Sequence, residues 1–277
     1  MSTWYSLNGG NNHTFTGTAG TVDQNAWDLC SNGTVTIRFY ANNTAGNGAF
    51  KNITIRKDIV NPQIIVLNPV PYQLCGKDLL NFDLIINEAN LGSTWYSLNG
   101  GKSFLFTGTR GTIDQNAWDS IKNGTVFLRF YANDTLSNIE FKEITLFKDI
   151  LAPNITISKP YNREVFGSEA PFFELIIEER NLQKIWYTLD AGINNITCTF
   201  EGQINFSLWN ELPNGNITIL FFAVDSVGNL NMAEVTIEKY IEDNTSPSIF
   251  GFHLLYLIMC SLIFTLIIGN RINKKKS

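Results

Sequence analysis

A unit of 91 residues recurs along this chain, and no other feature of the sequence constrains the fold as strongly. The clearest segment reads GTVTIRFYANNTAGN at 33–47, GTVFLRFYANDTLSN at 124–138 and GNITILFFAVDSVGN at 215–229. The segment STWYSLNGG stands at 2–10 and again at 93–101. Every pair of copies is offset by 91 residues without a gap. The chain is therefore predicted to be an array of similar structural units.

Two proline turns mark the repeat boundaries, VNP at 60–62 and LAP at 151–153. The later copies begin near these turns and reach the WYS segment after two strands, whereas the first copy begins at that segment. We therefore expect the first copy to lack its first strands, and the chain to continue a longer protein that carries an export signal upstream. The predicted divisions are a partial repeat, two full repeats, a linker, a membrane span and a tail, at 1–58, 59–149, 150–240, 241–249, 250–268 and 269–277.

Hydrophobic and polar residues alternate inside each unit. In the third copy, Phe173, Leu175 and Ile177 alternate with Glu174, Ile176 and Glu178. Successive side chains of a strand point to opposite faces, so this pattern predicts half-buried strands. The third copy is predicted to have strands near 153–158, 171–178, 184–190, 195–200, 216–224 and 232–240, with a turn or short helix near 207–212. So many short strands in one unit indicate an antiparallel, immunoglobulin-like (Ig-like) β-sandwich.

Several segments carry a resemblance to a known class of domain: APNITISKP at 152–160, NAWDSIKNGT at 116–125, WYSLNGG, and the closing RFYANDTLSN and FFAVDSVGN. On these segments the units resemble the tandem Ig-like or fibronectin-III-like repeats of archaeal and bacterial cell-surface proteins. The resemblance covers about residues 1–240. It implies β-sandwich architecture and a role as a stalk, spacer or adhesive module, and it implies no particular activity.

An apolar segment, FGFHLLYLIMCSLIFTLII at 250–268, contains no formal charge. A helix of about twenty such residues crosses a bilayer core of roughly 30 Å, so we predict a transmembrane helix and the lipid bilayer as a partner. Basic flanks stay in the cytoplasm, and here Arg271, Lys274, Lys275 and Lys276 follow the segment. The repeats are then extracellular. The predicted fold class is all-β, with tandem antiparallel Ig-like β-sandwiches followed by a single transmembrane α-helix.

Two alternatives remain for the apolar segment. It could be a buried core helix, although it lacks the polar face that such helices show. It could also be cleaved by a sortase-like enzyme near Gly251, because Gly251 and Phe252 loosely match a Pro-Gly-Phe signal in which Phe250 replaces the proline. Stable membrane anchoring is the prediction that we retain.

The charge balance argues against nucleic-acid binding. The chain carries 20 Lys and Arg against 25 Asp and Glu, a net charge of −5. Four of the basic residues lie in the C-terminal tail, so the rest of the chain has a net charge of −9. Because nucleic-acid binding needs basic residues that neutralise phosphates, no nucleic-acid partner is expected.

The sequence contains no catalytic constellation. The two histidines are His13 and His253, which excludes a histidine-based triad from every repeat but the first. Glycine-rich phosphate loops, the nucleophile elbow and Cys/His sets at zinc spacing are missing too. We therefore predict a protein without catalytic residues or enzymatic activity.

Calcium is the one cofactor that the sequence suggests. Asp134 with Asn138, and Asp225 with Asn229, stand at equivalent turns, and oxygen ligands at strand ends can bind calcium. The alternative is that these side chains only cap the turn by bonding the local backbone. Asn43 replaces the aspartate in the first copy, which favours the capping interpretation. No resident cofactor is therefore expected, and calcium is kept as a weak candidate.

The pattern Asn-x-Ser/Thr is dense before the apolar segment. The glycosylation candidates are Asn12, Asn32, Asn42, Asn123, Asn133, Asn195, Asn205 and Asn244. Asn52, Asn154 and Asn216 match as well but begin or lie in predicted strands, so they are less expected. An exported protein in a glycosylating organism would carry sugars on some of these asparagines.

Trp95, Arg129 and Tyr131 are candidate surface contacts. In the WYS strand, Tyr96 and Leu98 form the apolar set, so Trp95 falls on the opposite face. Either Trp95 packs on the outer face of the sheet, or a β-bulge shifts the register. Arg129 could cover the tryptophan through a cation–π contact.

These observations predict a non-enzymatic, membrane-anchored cell-surface stalk or adhesion protein. Other surface proteins or glycans are its expected partners. One alternative is the membrane-proximal stalk of a surface enzyme whose catalytic domain lies upstream. Another is a glycan or ligand receptor that binds through Trp95 or Tyr131.

Overall fold

The computed structural model describes residues 1–242, and strands account for most of them. The first repeat consists of β1 (Ser2–Leu7), β2 (His13–Phe15), helix α1 (Gln24–Asp28), β3 (Gly33–Asn42) and β4 (Gly48–Lys57). Its strands form one antiparallel sheet in the order β2-β1-β3-β4. Tyr5, Leu7, Val35 and Ile37 form the buried centre of its inner face.

The second repeat is a sandwich of two sheets. Its elements are β5 (Gln63–Asn68), β6 (Leu74–Cys75), β7 (Asn81–Asn87), β8 (Leu91–Leu98), β9 (Ser103–Phe106), β10 (Arg110–Thr112), α2 (Gln115–Asp119), β11 (Gly124–Asp134) and β12 (Ile139–Lys148). One sheet has the order β10-β7-β5, and the other has the order β6-β12-β11-β8-β9. Buried aromatic side chains fill the space between them, among them Phe82, Tyr96 and Phe130.

The third repeat has the same two-sheet arrangement. Its elements are β13 (Asn154–Lys159), β14 (Val165–Phe166), β15 (Phe172–Glu178), β16 (Leu182–Thr188), β17 (Ile196–Thr197), β18 (Glu201–Gln203), α3 (Phe206–Glu211), β19 (Gly215–Asp225) and β20 (Leu230–Lys239). The sheets have the orders β13-β15-β18 and β14-β20-β19-β16-β17. The chain is thus all-β over the described residues, with three short helices.

The alternating pattern predicted the long strands because one face of each is buried. In β11, Val126, Leu128 and Phe130 are buried, whereas Arg129 between them and Tyr131 after them are half-buried. β19 shows the same alternation. This agreement follows from the period of two that a strand packed on one face imposes.

The prediction of one strand at 195–200 is wrong. The segment contains only β17, which pairs with β16, and the chain then crosses to the other sheet, where β18 pairs with β15. The prediction also missed β14, whose two residues pair with the end of β20. Strands this short carry no readable period, and distant partners set their positions.

Each two-sheet repeat contains one parallel strand pair between its early and late strands. In the second repeat, β6 pairs with the end of β12, with Phe147 N donating to Gln73 O at 2.9 Å and Asp149 N donating to Cys75 O at 2.8 Å. In the third repeat, β14 pairs with the end of β20 in the same way. Within residues 1–58 all strand pairs are antiparallel.

The short helices hold a tryptophan in the core. Trp118 of α2 is fully buried, and its Nε1 donates to Gly76 O at 3.0 Å. Trp209 of α3 does the same with Gly167 O at 3.1 Å. Trp27 of α1 is only half-buried, because residues 1–58 contain a single sheet.

In each repeat a buried lysine donates hydrogen bonds to carbonyl groups at the C-terminal end of the short helix. Lys148, the last residue of β12, donates from Nζ to Trp118 O at 2.6 Å and to Ile121 O at 2.8 Å. Its Nζ also lies 5.0 Å from the centroid of the Trp118 ring. Lys57 and Lys239 make the equivalent bonds in the first and third repeats. The lysines therefore bind carbonyl groups that the helix end leaves without a helical partner.

Contacts divide the chain into two units. The first unit holds Met1–Ala152 with Ser226–Asn229, and the second holds Pro153–Asp225 and, among the described residues, 230–242. The first two repeats therefore belong to one unit, and most of the third repeat forms the other.

The described part of the chain, residues 1–242, contains no helix that is both long and apolar enough to cross a membrane. The predicted span at 250–268 and tail at 269–277 lie outside the described residues, together with most of the predicted linker. The same is true of Asn244, Arg271, Lys274, Lys275 and Lys276.

Candidate functional site

An aromatic row crosses the outer face of the five-stranded sheet in the second repeat. We use this name for Trp95, Tyr131 and Phe141, which stand opposite one another on β8, β11 and β12. The Trp95 and Tyr131 rings are stacked, with centroids 5.2 Å apart and planes 5° apart. The centroids of Tyr131 and Phe141 are 5.7 Å apart. On β9, Leu105 stands beside Trp95 and is 79% exposed.

The row shows which face Trp95 occupies. Its strand neighbour Tyr96 is buried between the sheets, so Trp95 points outward. Trp95 pairs with Tyr131 in regular register, and the shift in register comes later, between Asn133 and Asp134. Of the two predicted alternatives, the structure has the outward-facing tryptophan.

The predicted contact between Arg129 and the tryptophan is wrong. Arg129 instead forms an ion pair with Glu143, which stands opposite on β12. Its guanidinium carbon lies 5.4 Å from the centroid of Phe141. The pairing of β11 with β12 explains the difference, because it places Glu143 and Phe141 next to Arg129. The bond to Glu143, followed by one with Tyr131, raises the pKa of Arg129 further above its usual value.

The other repeats contain equivalent rows. In the first repeat Trp4 stacks on Tyr40, with centroids 5.3 Å apart, and Arg38 lies over Phe50. In the third repeat Trp186 stacks on Phe222, also at 5.3 Å. Each repeat therefore presents a stacked aromatic pair, on the larger sheet of the second and third repeats and on the single sheet of the first.

An acidic cluster forms where the second repeat meets the segment before it. We use this name for Asp58, which follows β4, Glu88, which follows β7, and Asp134, which ends β11. One carboxylate oxygen from each lies within 4.8 Å of the other two. Oxygen ligands in such a group are of the kind that calcium takes.

Hydrogen bonds already engage these carboxylates. Asn138 Nδ2 donates to Asp134 Oδ2 at 2.6 Å, and the backbone N–H of Leu136 donates to Asp134 Oδ1 at 2.9 Å. Asn90 Nδ2 donates to Asp58 Oδ2 at 3.2 Å. Burial alone would raise the pKa of Asp134, which is 2% exposed, but these bonds outweigh burial and the pKa is lowered. The bonds fit the capping interpretation, which stays the prediction, with calcium as the weaker alternative.

The structure brings Asp134 and Asn138 together as the sequence predicted, but sequence reasoning missed Asp58 and Glu88. Both recur 91 residues later, as Asp149 and Glu179, and that recurrence is the signal that could have identified them. Asp225 ends β19 and is fully buried, and Asn229 is buried in the turn before β20. In the first repeat, Asn43 Oδ1 accepts from Ala45 N and Asn47 N, so the turn there is capped without a carboxylate.

The glycosylation candidates fall into three environments. Asn12 and Asn195 are exposed outside the strands. Asn32, Asn123 and Asn205 have side-chain oxygens that accept backbone N–H groups, from residues 27 positions away for the first two and from Leu208 for Asn205. Asn42 and Asn133 lie near the ends of long strands and are half-buried.

His13, the one histidine among the described residues, packs against Tyr5 with ring centroids 5.2 Å apart. This contact gives it a structural role in the single sheet of the first repeat.

Comparison with known proteins gives similarity at the level of structure only. No protein-family model matches the chain, and no curated protein matches its sequence. The fibronectin(III)-like modules of Clostridium thermocellum CbhA are similar with a TM-score of 0.35 and 11% identity, over 67% of this chain and 97% of that one. A 1.5-MDa bacterial ice-binding adhesin is similar with a TM-score of 0.46 and 12% identity, over 87% and 86%. Three N-terminal domains of the bacteriophage RB49 Highly Immunogenic Outer Capsid protein are similar with a TM-score of 0.39 and 7% identity, over 87% and 88%.

Proposed function

We propose that this chain is a non-enzymatic, membrane-anchored stalk or adhesion segment that presents tandem β-sandwich repeats outside the cell. The observation that carries the proposal is the 91-residue unit, which folds as a separate sandwich with its own core in the second and third repeats. Repetition of one domain lengthens a protein without adding a reaction, which suits a spacer.

The segment between β4 and β5, residues 58–62, is the linker from the first repeat to the second, and it supports a spacer role. Asp58 lies in this linker, and its backbone oxygen accepts from Asn138 Nδ2 at 3.2 Å. Its side chain accepts from Asn90, also at 3.2 Å. Because the linker is bonded to the domain that follows, it has less freedom than a solvated linker of the same length. A stalk requires such restraint if it is to hold its far end away from the membrane.

The apolar segment at 250–268 and the basic residues after it support a single membrane span with a cytoplasmic C-terminus. The aromatic rows supply exposed apolar surface on which surface proteins or glycans could be held. The acidic repeats have no basic surface stripe to favour a nucleic acid.

Protease protection on intact cells tests the proposal. A chain with a C-terminal epitope tag is treated with protease outside the cell, and we expect the repeats to be digested while the tag stays protected. Replacing Arg271, Lys274, Lys275 and Lys276 by Gln is the matched control, and it should reduce the fraction with this orientation. Digestion of the repeats only after permeabilisation would contradict the proposal and favour a cytosolic, tail-anchored protein.

A further inference from the structure

Two of the glycosylation candidates share a face with the aromatic rows. Asn133 follows Tyr131 by two positions on β11, and Asn42 follows Tyr40 by two positions on β3. Residues two apart in a strand lie on the same face, about 6.6 Å from each other. A sugar on either asparagine would therefore start next to the ring of a tyrosine.

The amide groups of these asparagines are oriented by the neighbouring strand. Asn133 Oδ1 accepts from Ser93 N at 2.7 Å, and Asn42 Oδ1 accepts from Ser2 N at 2.9 Å. Neither Nδ2 atom has a hydrogen-bond partner among residues 1–242. This is the atom to which an N-linked sugar is attached.

The remaining residues of the sequon suit a modified asparagine. In Asn133-Asp134-Thr135 the aspartate is buried and the threonine is exposed. Attachment at Asn133 therefore leaves the bonds of Asp134 intact. Asn42-Asn43-Thr44 has its middle residue bonded into the turn as well.

The row has the chemistry of a sugar platform. Pyranose C–H groups carry a small positive charge and pack on the electron-rich faces of aromatic rings. Phe141 is 49% exposed at one side of Tyr131, and the nearby Arg129 side chain is 41% exposed and offers N–H donors to hydroxyl groups.

The third repeat has lost these features together. Val224 stands where Asn133 stands in the second repeat, so the sequon is absent. Phe222, Met232 and Leu220 replace Tyr131, Phe141 and Arg129, so the row there has no hydroxyl or guanidinium group. The repeats that have the sequon are thus the repeats that have a tyrosine in the row and an arginine beside it, whereas the third repeat has Lys184 over Trp186.

We infer that Asn42 and Asn133 carry N-linked sugars, and that the first sugar of each packs on the aromatic row of its own repeat. The occupant of the row is then a glycan of the chain itself. This inference rests on the proposed function, because only an exported chain meets the glycosylation machinery.

The modification is a group transfer from a lipid-linked sugar phosphate. Nδ2 of the asparagine forms a bond to the anomeric carbon, and the bond between that carbon and the phosphate oxygen breaks. The lipid phosphate leaves with the electron pair, and Nδ2 loses one proton to a base. No oxidant or reductant is required.

Glycopeptide mapping tests the attachment. The full chain is given a secretion leader and produced in a glycosylating yeast, which makes the test independent of where the native protein is located. We expect sugar on Asn42 and Asn133. Asn123 is the matched control sequon, because Ile121 occupies the position that Tyr131 occupies before Asn133. Sugar on Asn123 without sugar on Asn133, or no sugar at any sequon, would overturn the inference.

Thermal unfolding tests the contact. Removal of the whole glycan with an amidase that cleaves the side-chain amide bond, leaving aspartate at position 133, should lower Tm by about 2–4 °C, the effect of one aromatic contact in a protein of this size. The comparison uses a chain with Asn42→Gln, so that Asn133 is the one row sequon. In the same chain with Tyr131→Thr, the decrease should be absent. An equal decrease with and without Tyr131 would show that the sugar does not pack on the row.

The unglycosylated Asn133→Gln chain tests whether the aromatic row binds external sugars instead. If it binds free oligosaccharides and a Trp95→Ala change removes that binding, the row is a receptor for external sugars and the inference is wrong. Protease protection in native cells remains the separate test of surface location, so the two ideas can fail independently.

Discussion

The last strand of each repeat ends in a lysine whose ammonium group lies inside the domain. Lys148 is 3% exposed, and its Nζ bonds two carbonyl oxygens at the end of α2. Burial lowers the pKa of Lys148, and the nearby Asp119 charge partly opposes this. Such a lysine connects the last strand to the helix through charged hydrogen bonds, which are stronger than neutral ones.

Replacing Lys148 by Met should lower the free energy of unfolding by about 2–3 kcal/mol, because the buried carbonyls lose their donor. Denaturant unfolding followed by tryptophan fluorescence measures this. Lys142→Met on the exposed side of the same strand is the control and should change the free energy by less than about 0.5 kcal/mol. Equal effects of the two changes would contradict a bonding role for Lys148.

Asp190 should make the third repeat sensitive to acid. A backbone bond from Asn194 and a hydroxyl bond from Thr188 lower its pKa from 3.8 to about 2. A carboxyl with a lowered folded pKa stabilises the fold above the unfolded value, and this contribution is lost as the pH falls towards the folded value. In Asp190→Asn, unfolding should therefore depend less on pH between about 4 and 2. Thermal unfolding at stepped pH measures this, with Glu211→Gln as an exposed control whose profile should match that of the unchanged chain.

At the scale of the element, the start of each helix depends on one side-chain cap. Asp114 Oδ1 accepts from Ala117 N at 2.8 Å, and Asp114 N donates to the hydroxyl of Tyr96 at 2.7 Å. Asp23 and Asn205 hold the same place in the other repeats. The helix is five residues long, too short to be stable without such support.

Asp114→Ala should lower the free energy of unfolding by about 1 kcal/mol, the usual effect of losing an N-cap. Asp114→Asn keeps an oxygen that can accept the same N–H and should retain most of the stability. Denaturant unfolding of both variants makes the comparison. If the two lose the same amount, the carboxylate charge rather than the cap is responsible.

The sequence predicted elements whose pattern is local. β11 and β19 are long and alternate regularly, so their buried faces could be read directly. β14 and β18 have two and three residues, and partners far along the chain define them. Asp58 and Glu88 were missed for the same physical reason. They are far apart in sequence, and they lie close to Asp134 only because the ends of β4, β7 and β11 come together in the fold.

The aromatic row shows the same limit within one site. The alternation of side chains along β8 predicted that Trp95 lies on the opposite face of the strand from Tyr96 and Leu98. Which cation lies over which ring depends on cross-strand register. The pairing of β11 with β12 places the Arg129 guanidinium over the Phe141 ring. A pattern read along one strand does not contain that register.

For the whole molecule, the acidic cluster raises the question of whether stability depends on calcium. Asn138 and Asn90 already donate to its carboxylates, so a chelator should leave the midpoint of thermal unfolding unchanged. Differential scanning calorimetry of the full chain, with chelator or with millimolar calcium, measures this. A calcium-dependent rise that Glu88→Gln abolishes would contradict the expectation and identify the cluster as a binding site.

The parallel strand pairs have a mechanical consequence. A force that pulls on the two ends of the second repeat acts along β6 and β12 in opposite directions, so their hydrogen bonds are loaded in shear and must break together. The single sheet of residues 1–58 has no such parallel pair, and its buried core is smaller. In single-molecule pulling, the second and third repeats should unfold at higher force than the first. On a surface exposed to flow, such repeats would carry tension without lengthening.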